Sequence, residues 1–151
     1  MNFADFYNDM VEQILERELT LQDGMGINRI EAAEQNLGLR LPLSLREYYR
    51  VAGCLDELNE NYNRLYSPEE LRIDDGYLVF MEENQVVVFW AVPVRHLCEE
   101  DPVVWQRVRE KPGEWYEAVG TEKHPDPMSV SQFLLRMFLW TFGLDGGPED
   151  D

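Results

Sequence analysis

The side chains able to perform nucleophilic or acid-base chemistry are few in this sequence. It holds two histidines, His96 and His124, and two cysteines, Cys54 and Cys98. A thiol or hydroxyl nucleophile needs a base set beside it, and only Cys98 has a histidine close by, His96. Positions so close in a strand or loop point to opposite sides, so this spacing does not read as a dyad. No GxSxG elbow occurs. HExxH is absent, and two widely separated cysteines make no zinc knuckle.

Other chemistry fails on equally specific grounds. In NENYNRLYSPEE, Asn59, Asn61, Asn63 and Glu70 fall at the first, third, fifth and last positions of a calcium-loop template. Arg64 stands where that loop needs glycine, and the early carboxylates that supply affinity are missing. Gly24-Met25-Gly26 follows no strand and continues as neither a P-loop nor GxGxxG, so it reads as loop punctuation. The acidic pairs Asp74-Asp75 and Glu82-Glu83, with Glu99-Glu100-Asp101, read as solvated faces rather than acid/base pairs. Trp90, Trp105 and Trp115 could line a pocket, although aromatics beside apolar strands usually belong to the core. The sequence thus assigns no catalytic residue, no metal ligand and no cofactor.

The elements that would position any site follow from periodicity. Phe3, Phe6, Tyr7, Met10, Val11, Ile14, Leu15 and Leu19 lie on one stripe and predict an amphipathic helix over residues 3 to 19. INRIEAAEQNLG predicts a second helix, with Asn28 as N-cap, Glu31 completing a capping box and Gly38 as the stop. LRLPLSLREYYRVAG predicts a third, with Ser44 and Glu47 as the box and Gly53 as the stop. In YSPEEL, Ser67, Pro68 and Glu70 predict a capped helical turn before Asp74-Asp75-Gly76.

The period then changes. Tyr77 to Met81 and Val86 to Val92 read as strands buried on both faces, and Glu83-Asn84 as the reversal between them, with asparagine taking the left-handed conformation. Trp115 to Val119 predicts a further strand. SVSQFLLRMFLWTFG predicts a closing helix capped by Ser129 and Gln132. Helices first, strands in the middle and a helix last describe an α+β domain. The expected architecture is a central, mostly antiparallel sheet flanked by N-terminal helices and a C-terminal helix. A single domain over residues 1 to 144 is followed by DGGPEDD, residues 145 to 151, read as an acidic disordered tail.

The charge is the most unusual global property. Thirty acidic residues face 13 basic ones, for a net charge of -17. The tail accounts for only four of the acids, so the folded body is itself acidic. Such a field repels phosphate backbones and anionic membranes, which argues against direct nucleic-acid or membrane binding, and it steers basic partners inward. Solubility alone is the other reading of the same charge. The N-terminal MNFADFYNDM has no basic n-region or apolar h-region, and no apolar run approaches the ~18 residues of a membrane span. The expectation is a cytoplasmic protein, with both cysteines as small buried side chains in a reducing compartment.

In order and spacing, the amphipathic N-terminal helix, IEAAEQNLGLRLPLSLREYYRVAG (residues 30 to 53), SPEEL, FMEENQVVVFWAVP, DPVV with a following tryptophan, and the serine-started closing helix resemble the SUKH superfamily of Smi/Knr-type proteins. The resemblance runs from about residue 3 to about residue 142. It implies a central sheet with helices around it and no enzymatic activity. Bacterial members are similar to immunity proteins, which bind and neutralise polymorphic toxins, often nucleases; fungal relatives are linked to regulation of cell-wall synthesis through protein partners. The function expected is therefore stoichiometric neutralisation of a cognate, basic toxin domain. The alternative is an intracellular interaction module that meets no toxin, and gene context discriminates the two. Candidate partner-contacting residues are Asp74, Asp75, Glu82, Glu83, Glu99, Glu100 and Asp101.

Overall fold

A computed structural model of the chain describes residues 2–118 and 126–144. His124, the end of the strand expected at Val119 and the acidic segment 145 to 151 lie outside the described residues. Five helices and six strands form an α+β fold: α1 Phe3–Leu15, α2 Ile27–Leu37, α3 Leu43–Ala52, α4 Asp56–Asn59, β1 Arg64–Leu65, β2 Arg72–Asp74, β3 Tyr77–Glu82, β4 Val88–Pro93, β5 Trp105–Val108, β6 Tyr116–Glu117 and α5 Val130–Thr141.

Helix α1 begins on Asn2, whose side-chain oxygen accepts from the Asp5 amide at 3.1 Å, and stops where Glu16 turns left-handed at φ 56°. The expected helix to residue 19 is therefore cut short, and Leu19 packs from the following loop. Helix α2 starts after Gly26, not at Asn28, and closes at a left-handed Gly38 as its sequence predicts. Helix α3 starts after Pro42, so Ser44 lies inside its first turn and is no cap. The Ser44 amide is satisfied by the Glu100 carbonyl at 2.8 Å, which replaces the expected capping box. The boxes at Ser67–Glu70 and Ser129–Gln132 both form, the first on a single 3-10 turn.

The sheet is antiparallel throughout, in the order β1-β3-β4-β5-β6, with β2 sharing the outer edge of β3 beside β1. Asp74 pairs with Tyr77, so Asp75-Gly76 is a two-residue hairpin loop with both φ positive, the Asp-Gly turn of a twisted hairpin. Asp74-Asp75-Gly76, expected only to follow a helical turn, closes this hairpin. A bulge between Val79 and Met81 places Phe80 as the extra residue of β3.

Period-two alternation gives the sheet two different faces. Leu78, Phe80, Trp90 and Val92 turn towards the helices, and Phe133 of α5 meets the rings of Phe80 at 5.9 Å and Trp90 at 5.5 Å. Tyr48 of α3 then stacks on Phe138 of α5 at 5.6 Å and meets Tyr7 of α1 edge-on at 5.2 Å. This aromatic line joins sheet and helices into one buried cluster. Helices were expected to cover at least one face, and this is the face they cover. The other is roofed by its own side chains and by the residues around Trp115.

Candidate functional site

The outer face of the sheet is built from the alternate positions of the same strands. Val79 of β3 pairs with Ala91 of β4, and Ala91 with Trp105 of β5; Glu82 pairs with Phe89, and Phe89 with Arg107. Paired residues of antiparallel strands share a face, so Tyr77, Val79, Glu82, Phe89, Ala91, Trp105 and Arg107 all point outward. Val79 and Ala91 are small. Both are fully buried, and the long Arg107 side chain reaches from β5 to Asp74 at the end of β2.

Arg107 is the anchor of this surface. Its Nε and Nη2 both donate to Asp74 Oδ2, at 2.9 and 2.7 Å, and its Nη1 donates to the Val108 carbonyl at 3.1 Å. Its guanidinium lies 4.9 Å from the Phe89 ring and 5.5 Å from the Trp115 ring, and the residue is only 8% exposed. A buried charge persists only when paired and hydrogen-bonded. Asp74 meets both conditions, which assigns it an internal role.

From Arg107 the stacking continues both ways. On one side, Trp115 stacks on Tyr77 at 4.6 Å, Tyr77 meets Trp105 at 5.6 Å, and Arg95 lies over Tyr77 and Trp105 at 5.8 and 5.3 Å. On the other side, Arg72 lies over Phe89 at 5.2 Å and over Tyr66 at 5.4 Å, and Arg64 lies over Tyr66 at 4.9 Å. The result is a ladder of alternating rings and guanidinium groups across the whole sheet. Arg72 donates to the Tyr66 hydroxyl at 2.9 Å, which donates to Glu82 at 2.6 Å; Glu82 also accepts from Arg64, whose other arm reaches Glu70. Burial first, then the hydrogen bond to Glu82, pushes the Tyr66 hydroxyl up to about 12.

The seven candidate acids do not form one patch. Asp74 holds Arg107, Glu82 holds Arg64 and Tyr66, and Asp101 caps α5 by accepting from the Ser131 amide at 2.9 Å and the Ser131 hydroxyl at 2.6 Å. These three are structural. Asp75, Glu99 and Glu100 are exposed, and Glu83 is half-buried on the β3–β4 turn. The Val94 amide donates to the Gly76 carbonyl, so the 94–101 segment starts at the Asp75 end of the sheet, and it ends where Glu100 and Asp101 bond Ser44 of α3 and Ser131 of α5. Glu82 and Glu83 lie at the other end of β3, about 17 Å away for a six-residue strand.

Other sequence readings resolve in the same way. The reversal at Glu83-Asn84-Gln85-Val86 is closed by the Val86 amide on the Glu83 carbonyl at 2.8 Å, but Val86, not Asn84, carries the left-handed backbone at φ 56°. Asn84 is tied down instead, its amide donating to Asn63 Oδ1 at 3.0 Å. Asn63 and Asn59 are buried pins rather than ligands: Asn59 accepts from the Tyr48 hydroxyl and donates to the Ala52 carbonyl at 2.9 Å. Both cysteines are exposed free thiols, which corrects the expectation that they are buried. His96 lies 4.0 Å from Glu99. Among the described residues no group of three His, Cys, Asp or Glu side chains could hold a metal ion, and no helix is long and apolar enough to cross a membrane.

The sequence reading missed the ladder altogether. Its signal was present in Trp105-Gln106-Arg107, where alternation puts a tryptophan and an arginine on one face. The ladder contains no nucleophile and no histidine. Tyr66, Phe89 and Arg107 lie buried within it, and what it presents outward is Arg72 and Arg95 with half-buried Arg64, Tyr77, Trp105 and Trp115, an arrangement suited to binding. Comparison with models of known families, with characterised proteins and with solved structures returns no match for this chain.

Proposed function

We propose that this chain is an immunity-type protein that neutralises a cognate toxin domain by stoichiometric binding. The observation that carries the reading is that Asp75, Glu99 and Glu100 stand exposed, none of them paired with an arginine among the described residues, in a chain of net charge -17. A toxin that grips phosphates is basic at its working site. Carboxylates presented there occupy the place of phosphates, and the surrounding negative field speeds the encounter. A nuclease is the toxin class that best fits this charge, and the SUKH-like order of segments supports the same assignment.

The test is co-expression with the product of the adjacent gene. The expected result is rescue of growth and co-purification of a one-to-one complex. No rescue together with no complex would refute the reading.

A further inference from the structure

Among the described residues, Arg17, Arg29, Arg46, Arg50, Arg64 and Arg107 are each answered by carboxylates. Arg72 and Arg95 have no ion pair among the described residues, although acids outnumber bases 30 to 13. Both are exposed, and both lie over aromatic rings at opposite flanks of the one ladder. Arg40 and Arg109 also lack an ion pair, but neither is held over a ring.

A guanidinium laid on a ring keeps its in-plane N–H edge free, and the ring limits the freedom that binding would otherwise remove. Arg72 uses a single nitrogen, on the Tyr66 hydroxyl. Each residue is thus a pre-positioned fork of the shape that accepts a carboxylate bidentately. We propose that the exposed flanks of the outer face form a protein-docking surface on which Arg72 and Arg95 grip carboxylates of an acidic segment of the partner. This deepens the binding function proposed above and rests on it.

The chemistry around the forks selects protein over polyanion. Half-buried Tyr77, Trp105 and Trp115 with arginine are the residue types that dominate binding energy at protein interfaces. Exposed Glu117, paired with Trp105 across the outer edge, and Asp75 near Gly113 place negative charge beside the forks. A nucleic-acid backbone would bring phosphates against these acids as well as to the arginines. A folded partner of mixed sign can instead set carboxylates on the forks and cations on the acids, which fixes one register and excludes others.

The probe is a fluorescein-labelled peptide of four glutamates and two lysines, titrated against the full chain, with the indole N–H signals of Trp105 and Trp115 and the Nε–H signals of Arg72 and Arg95 followed by NMR. The expected result is saturable perturbation of these signals and an affinity reduced at least about tenfold in R72A/R95A. R17A/R50A, which removes two arginines elsewhere, leaves it unchanged. R72K/R95K keeps charge and fold but loses the planar fork, so it binds less tightly than the native chain and guards against unfolding of the alanine variant. No perturbation at millimolar peptide, equal loss in R17A/R50A, or tighter binding of a thymidine oligonucleotide of equal charge would overturn the proposal. If a co-purifying partner is found whose affinity ignores R72A/R95A, the surface assignment falls and the immunity reading stands. If the peptide binds as expected and no toxin is neutralised, the reverse holds.

Discussion

Removing Asp74 should unlock the outer face of the sheet. Asp74→Ala deletes the oxygen that accepts from both Nε and Nη2 of Arg107, and leaves a guanidinium that is 8% exposed facing the Phe89 and Trp115 rings. Breaking a fully buried pair costs roughly 3–5 kcal/mol, because the surviving charge has no partner. Here the Asp74 side chain is 31% exposed and Arg107 keeps its bond to the Val108 carbonyl, so water and backbone recover part of the loss. About 2–3 kcal/mol remains, which for a domain of this size lowers Tm by about 5–10 °C. The assay is urea unfolding followed by tryptophan fluorescence and circular dichroism on D74A, R107M and the double variant. Methionine preserves contact with the two rings without the charge, so D74A/R107M should be more stable than D74A alone. A cost below about 0.5 kcal/mol for D74A, or strict additivity in the double variant, would refute the reasoning.

Three further outcomes follow from separate parts of the structure. Gly24→Ala would set a Cβ 1.9 Å from the Arg50 carbonyl oxygen, so the loop must leave α3; thermal melting should show a loss above about 2 kcal/mol. The Tyr66 hydroxyl, held neutral up to about 12 against an ordinary value of 10.0, contributes stability that is intact below pH 10.0 and lost as pH rises through its folded value. Alkaline unfolding monitored by tyrosinate absorbance should therefore begin later in the native chain than in Glu82→Gln. Glu69 and Asp23 shift the opposite way: hydrogen bonds from Arg29 and Arg17 hold their carboxyls below the usual range. Their contribution is present above that range and lost as pH falls through it, so Arg29→Ala should shallow the acid limb of a stability–pH profile.

Much of the fold is legible in the sequence because it rests on local signals. The stripes of α1 and α5, the boxes at Ser67 and Ser129, the stops at Gly38 and Gly53 and the two central strands are each fixed by neighbours in the chain. The errors arise where a distant segment satisfies a local need. Ser44 has its amide bonded by Glu100, so Pro42 starts α3 instead. Val86 adopts a left-handed backbone that its β-branched side chain disfavours, while Asn84, the residue better suited to it, is held by Asn63.

The candidate site was less legible for the same reason. Runs of acids such as Asp74-Asp75 and Glu82-Glu83 look alike in sequence, yet one member of each pair is used internally and the other faces outward. The reach of Arg107 to Asp74, and of Arg64 and Tyr66 to Glu82, is what separates them. The ladder itself draws on residues from Arg64 to Trp115, spread over five strands and the turns between them, and no local period announces such an assembly.

The most direct measurement is the association rate with the product of the adjacent gene, taken across a salt series for the native chain and for D75K/E99K/E100K. Electrostatic steering by exposed carboxylates predicts a native rate that falls as salt rises, and a slower, less salt-dependent rate after charge reversal, at similar stability. A rate indifferent to both salt and charge reversal would contradict the account.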